Sequence, residues 1–356
     1  MRYRIWPNSW LVIICAFWVG ACVKSYSPDM PSIGKRLIVE GMITDQPGPY
    51  VIRLSYTTDY TFASLNYLVY NASVSITDDA GTTDVLQQLS PGVYQTRTNG
   101  IRGVAGRSYK LTVKTTDGHV YESAPEPLKA SPPIQAIYYE YTYHPTEPTN
   151  DKRNQWDVYI DTQDPETTGD YYRWQWKNYE AISSCRVSPD AGIDGYYTGV
   201  ACCSACWDIN QCYTNCLSLR SDARINGKQI SRQYIMSAPF TSLTTYYVEV
   251  EQQRISKGAF QFFNTADKLV SNTGGIFDAA PVSLGGNIRC TSHPDEQAYG
   301  YFGAAGVTVR SLKIDRIKDA VGDPVGKKIR IDALAGCAAC VESTYRTAIK
   351  PRWWDN

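Results

Sequence analysis

Cysteines carry most of the possible chemistry in this chain. Five of its eleven lie in the fifteen-residue stretch CCSACWDINQCYTNC, from Cys202 to Cys216. Cys203-x-x-Cys206 and Cys337-x-x-Cys340 have the spacing of two halves of a zinc site, which takes four thiolates in a tetrahedron. The same spacing serves a dithiol redox pair. A third reading rests on composition: residues 185–216 are rich in Gly, Ser, Asp and Tyr and hold little from which to build a core. Such a loop is held by cross-links, each contributing about 2 to 4 kcal/mol.

Which reading applies depends on the redox compartment, and the N-terminus speaks to that. WLVIICAFWVGAC, residues 10–22, follows Arg2 and Arg4 and has an apolar run shorter than the roughly 20 residues a bilayer span needs. A positive start, a short apolar core and small residues at its end make a secretory signal peptide. Its last four residues, Val19-Gly20-Ala21-Cys22, are similar to the lipobox of bacterial lipoproteins, in which cleavage leaves the cysteine as a lipidated first residue. Residues 1–21 are then the signal, Cys15 is discarded with it, and Cys22 is the lipidation site, because several acyl chains anchor stably where one does not. Val23, in place of an aspartate, points to the outer membrane, with the surface-exposed face favoured.

Export favours disulfides, since an oxidising envelope joins neighbouring thiols. Cys185, Cys202, Cys203, Cys206, Cys212, Cys216, Cys290, Cys337 and Cys340 are therefore expected as a disulfide set of unspecified pairing, with metal and redox chemistry as the alternatives. Nine is an odd number, so at least one thiol has no partner among them.

Catalytic signatures are sparse. The three histidines, His119, His144 and His293, each stand in a turn or loop context. Neither a Gly-x-Ser-x-Gly elbow, a His-Glu-x-x-His pair nor a phosphate-binding glycine loop occurs. The acidic DTQDPETTGD (161–170) lacks the order of an EF-hand and reads as a solvated loop. The expectation is no catalytic residue, no metal and no cofactor.

The 35 basic and 35 acidic residues become 33 and 35 once Arg2 and Arg4 are removed, which gives no electrostatic reason to expect nucleic acid as a partner. Tyr (27) and Trp (9) far outnumber Phe (8), a bias suited to half-exposed strands and binding surfaces.

The elements around these residues are strands. Residues 22–35 read as a lipidated tether with two prolines. RLIVEGMIT, YVIRLSYT, ASVSITD and GVYQTRT follow with alternating or β-branched patterns. YKLTVKTTDGHVYES (109–123) is a hairpin closed by Asp117-Gly118. Tyr109 occupies the place of a tyrosine corner. Residues 36–122 are expected to form an immunoglobulin- or fibronectin-like β-sandwich, 123–133 a Pro-rich linker, and 134–356 a larger β-rich domain with the Cys-rich insertion 185–216. One helix is expected over 256–273, capped by Ser256, with Phe260, Phe263, Ala266, Leu269 and Val270 on one face.

The order RLIVEGMITDQPGPYVIRLSYT, GRSYKLTVKTTDGHVYES, ACW, YYVEVEQQRISKGAFQFFNTADKLVSNTGGIFDAAPVSLGGNIRC, GYFGAAGV and LAGCAACVESTYRTAIKPRWW resembles the Bacteroidota outer-membrane lipoprotein family catalogued as domain of unknown function 4249. Where many members carry Gly-Gly after the second C-terminal cysteine, this chain has ESTYRTA. The resemblance assigns no chemistry. It implies company, because such lipoproteins resemble accessory partners of TonB-dependent transporters. The resulting expectation is a non-enzymatic, lipid-anchored binding protein that helps capture a small-molecule, glycan or peptide cargo. Tyr196, Tyr197, Trp207, Tyr213, Trp353 and Trp354 are the candidate contact residues, with packing over a disulfide as the other reading of Trp207. An envelope adhesion or assembly protein and a surface hydrolase are the alternatives.

Overall fold

The computed structural model describes residues 35–57, 67–182, 185–186, 200–201, 206–211, 218–271, 284–324, 340, 342–351 and 354. The signal, the tether to Gly34 and most of the Cys-rich loop lie outside them.

The protein is mainly β. Its first ten strands are β1 (Leu37–Thr44), β2 (Val51–Tyr56), β3 (Tyr67–Leu68), β4 (Ser73–Asp78), β5 (Thr83–Val85), β6 (Gln87–Ser90), β7 (Val93–Gln95), β8 (Ser108–Lys114), β9 (Val120–Ser123) and β10 (Glu126–Pro127). There follow β11 (Ile134–Tyr143), the one-turn helix α1 (Asn150–Arg153), β12 (Asn154–Gln163), β13 (Tyr171–Ile182), β14 (Cys185–Arg186), β15 (Val200–Ala201), β16 (Cys206–Gln211), β17 (Ser218–Ser221), β18 (Gln229–Pro239) and β19 (Tyr246–Ile255). Helix α2 (Lys257–Ser271), β20 (Ile288–Cys290), β21 (Tyr299–Ile314) and β22 (Arg346–Thr347) complete the described chain.

The N-terminal sandwich forms as its alternation dictates. Leu37, Val39 and Ile43 of β1, Ile52 and Leu54 of β2, Val74 and Ile76 of β4, and Leu111 and Val113 of β8 all turn into one core. Burying such a side chain contributes about 1.5 to 3 kcal/mol each. Gly118 closes the β8–β9 hairpin at φ 93°, a conformation glycine adopts without strain. The Tyr109 hydroxyl accepts a 2.7 Å hydrogen bond from the Val104 amide, so the tyrosine corner is real.

The two halves meet differently from the linker arrangement. β21 pairs parallel with β1 through residues 299–305 and antiparallel with β19 through 306–314. One strand thus runs through both halves of an 11-stranded sheet ordered β22-β16-β13-β19-β21-β1-β2-β7-β6, with β17 also paired to β13 and β3 to β2. β20 likewise adds to β9 on the opposing sheet. The first sandwich is therefore completed by residues from beyond 284, which local periodicity cannot reveal.

The Pro-rich segment is packed, not a spacer. Prolines lack N–H groups but keep acceptors. The Pro132 carbonyl accepts from Gln252 Nε2 at 2.8 Å and from Thr308 Oγ1 at 2.6 Å, and the Pro133 carbonyl accepts from Thr162 Oγ1 at 3.1 Å. The segment lies against β21 at Gly306, whose amide donates to the Lys129 carbonyl at 3.1 Å. A Cβ at Gly306 would stand 2.2 Å from the Lys129 carbonyl oxygen, so only glycine admits this approach.

In the C-terminal half, the three-stranded sheet β11-β12-β18 packs on β13, β19 and β21 around Trp156, Val158, Trp174, Val248 and Ile314. Helix α2 starts as expected, the Ser256 hydroxyl accepting the Ala259 amide at 3.0 Å. Phe260 meets Tyr171 with ring centroids 4.9 Å apart, and the Arg173 guanidinium lies 4.2 Å from the Phe263 centroid. Val270, however, is 74% exposed, so the apolar stripe ends a turn early, and Ala259 is the residue fully buried.

At the helix start, Glu126 is buried. Its carboxylate accepts from Ser256 Oγ, from the Tyr301 hydroxyl and from Asn287 Nδ2. Burial raises its pKa above the usual 4.5, against those three hydrogen bonds. The native state therefore holds this proton to higher pH than the unfolded chain does. Its effect on stability falls as pH rises from about 4.5 through the raised native value. We expect Glu126→Gln to flatten the stability–pH profile over that interval in urea titrations, and Glu126→Leu to unfold more readily at every pH.

Candidate functional site

The structure brings together residues that the sequence scatters. Among the described residues, the donor atoms of His119, Cys290, His293 and Glu296 all lie within 4.8 Å of one another. Each is placed by a separate local device. His119 follows Gly118 at the hairpin tip, where its carbonyl accepts from the Thr115 amide at 3.0 Å and from Thr115 Oγ1 at 3.1 Å. Cys290 ends β20, opposite Tyr121 of β9. Beyond it the chain stays zipped to β9: the Thr291 amide donates to the Val120 carbonyl at 2.7 Å, and the Val120 amide donates to Ser292 Oγ at 2.9 Å. A turn in which the Glu296 amide donates to the His293 carbonyl at 2.9 Å then folds Glu296 back.

The side chains interlock. The imidazoles of His119 and His293 stack with centroids 4.2 Å apart and planes 22° apart. His119 Nδ1 hydrogen-bonds Glu296 Oε2, and the Tyr121 hydroxyl donates to Glu296 Oε1. Burial, then the adjacent Glu296 carboxylate, pushes the Tyr121 phenol well up, so it remains a donor at neutral pH. Ser292 Oγ lies 3.1 Å from His293 Nδ1 and 3.5 Å from Cys290 Sγ. Cys290 is 4% exposed and carries a free thiol. The group borders an open cleft of about 670 Å³ also lined by Lys35, Arg36, Tyr56 and Asp117. Two imidazoles, a thiol and a carboxylate make a donor set suited to a borderline metal ion. They also hold the parts of a thiol nucleophile with a histidine base.

This differs from the sequence reading in three places. His119 and His293 are not isolated loop residues; only His144 is, in the β11–β12 connection. Cys290 is not a disulfide partner. The DTQDPETTGD segment is not solvated at two of its carboxylates: Asp164 and Asp170 are 1% and 0% exposed. Asp164 accepts from the Tyr172 hydroxyl at 2.6 Å, while Asp170 pairs with Arg254 and Lys129. The signal that could have found the cluster is Cys290-x-x-His293-x-x-Glu296, a chelating spacing on one loop.

Of the other cysteines, Cys206 and Cys340 are bonded to each other. Cys202, Cys203, Cys212, Cys216 and Cys337 lie outside the described residues, as does the Cys185 side chain, and so do Cys22, Tyr196, Tyr197, Tyr213 and Trp353. Trp207 takes the packing reading and not the contact one: it is 5% exposed, next to the disulfide, and meets Trp354 edge-on at 5.9 Å. Trp354 is half-buried in that packing. Among the described residues, no helix is long and apolar enough to cross a membrane.

Fold and cluster together define a two-part β-sandwich protein with one sheet continuous through both parts and a mixed His/Cys/Glu site at one hairpin tip. The chain belongs to the family described as domain of unknown function DUF4249, whose profile matches residues 23–311. No curated protein matches it.

Proposed function

We propose that this protein is a lipid-anchored accessory protein of the outer membrane that works beside a TonB-dependent transporter in the capture of nutrient or other cargo, without catalysing a reaction itself. The observation that carries this reading is the Val19-Gly20-Ala21-Cys22 lipobox in register with a signal peptide. The thirteen residues 23–35 give the anchor a tether, and the shared strand β21 gives the loops a rigid support. Loops held by a rigid scaffold are where binding residues concentrate.

Isolation of the tagged, full-length lipoprotein from gently solubilised envelopes after chemical cross-linking tests the partnership. A TonB-dependent barrel should be the principal cross-linked species. Recovery of the lipoprotein alone, or with peptidoglycan-associated scaffold proteins only, would contradict it.

A further inference from the structure

The geometry points to a zinc-class divalent metal site formed by His119, Cys290, His293 and Glu296. Three independent features support it. First, geometry: ligands about 2.0 to 2.3 Å from a tetrahedral zinc stand roughly 3.4 to 3.7 Å from one another. Donor atoms already within 4.8 Å need small rotations of four side chains and no movement of the strands that carry them. Second, charge: one thiolate and one carboxylate neutralise a dication, and two neutral imidazoles complete the coordination. Hard cations such as calcium and magnesium take oxygen ligands, so nitrogen and sulfur here select against them.

Third, the surroundings match what a metal site requires beyond its ligands. Ligating carboxylates and imidazoles are oriented by outer hydrogen bonds. Tyr121 holds Glu296 from below, and Ser292 holds His293. The nearly buried Cys290 sulfur forms the floor, while the exposed His293 forms the outer wall, and the cleft gives solvent a route to the centre. Nine cysteines follow Cys22, at least one must stand outside pairs among them, and the free thiol among the described residues is the one facing two imidazoles. A thiolate committed to a metal is protected from the disulfide exchange that an oxidising envelope otherwise imposes. Because four protein donors fill a tetrahedron, the site is structural, tying the β8–β9 hairpin to the 290–296 loop.

Detergent-purified full-length protein, stripped with a chelator and then titrated with Co²⁺ and Zn²⁺, tests this. Wild type should take up one Zn²⁺ in competition with a chromogenic chelator. The Co²⁺ form should show a thiolate-to-cobalt charge-transfer band with tetrahedral visible bands. His293→Ala, at an exposed position where folding is not at risk, should weaken zinc binding at least about 10-fold, and His119→Ala likewise. Cys290→Ser should abolish the charge-transfer band. Unaltered zinc affinity in His293→Ala and His119→Ala would overturn the proposal by assigning the metal to the Cys-rich loop. Absence of zinc binding in wild type would also overturn it, as would a Cys290 thiol alkylated at the same rate with and without zinc. Rapid alkylation that depends on His119 and is indifferent to zinc would mark Cys290 as a nucleophile instead.

Discussion

Replacing Asp170 by alanine should lower the unfolding free energy by about 3 to 5 kcal/mol, the cost of leaving a buried ion pair without one partner. Asp170 is 0% exposed, and its Oδ1 is shared by Arg254 and by Lys129 Nζ at 3.0 Å. Oδ2 accepts from Thr167 Oγ1 at 2.8 Å. Its amide donates to Asp222 Oδ2 at 2.9 Å, so the residue ties β13, β19, the Pro-rich segment and the 221–228 turn together. Arg254, 11% exposed, would lose its carboxylate and keep only the Ala130 carbonyl and Thr167 as partners. Burial alone would raise the Asp170 pKa, but the hydrogen bonds from Arg254, Lys129 and Thr167 outweigh it and hold the carboxyl below 3.8. A depressed native pKa means that this stabilisation is complete above about 3.8 and is lost as pH falls through the native value. Urea titrations should therefore show the wild-type advantage over Asp170→Ala shrinking in acid. A difference under about 1 kcal/mol at pH 7 would mean that the pair is only a screened surface contact.

The second large effect concerns Cys206 and Cys340. They are separated by 134 residues, and cross-links that close long loops remove the most entropy from the unfolded chain. The double replacement by serine should cost about 2 to 4 kcal/mol. The damage should be greatest at the C-terminus, because β22 is short and pairs with β16 through Trp207 and Asp208, helped by the Arg346–Asp208 ion pair and the Ile209 amide on the Tyr345 carbonyl. Releasing it would uncover Trp207, now packed against Trp354. We expect a red shift in tryptophan emission and protease trimming beyond residue 342 in the variant, both absent from the oxidised wild type and both reproduced by reductant. Equal stability with an unshifted spectrum would show that the disulfide adds nothing to this edge.

Much of the fold was legible in the sequence wherever the determining contacts were local. The hairpin turn at Asp117-Gly118, the Ser256 cap and the Tyr109 corner each depend on residues a few positions apart. What could not be read was the pairing of distant strands. β21 reads as one more apolar run, and only its partners show that residues 299–305 belong with β1. The same limit hid the cluster. His119 and Glu296 are 177 residues apart, and they meet because β20 joins β9. The acidic 161–170 loop misled for a related reason: carboxylates look solvated until the cations that pair with them, Lys129 and Arg254, are seen to arrive from other elements. For Trp207 the sequence left two readings, because an aromatic beside a cysteine suits an interface and a core alike, and its neighbours, the disulfide and Trp354, decide for packing.

The proposed function stands first on the lipid anchor, since a protein free in the periplasm would not be held beside an outer-membrane transporter. Intact-mass and N-terminal peptide analysis of protein extracted from washed outer membranes tests this most directly. The account predicts a chain beginning at Cys22, 335 residues long (356 less the 21 of the signal) and bearing diacylglycerol and acyl mass, with Cys22→Ser recovered in the soluble fraction. A mature chain beginning elsewhere and carrying no lipid, or a Cys22→Ser variant retained by carbonate-washed membranes, would contradict it.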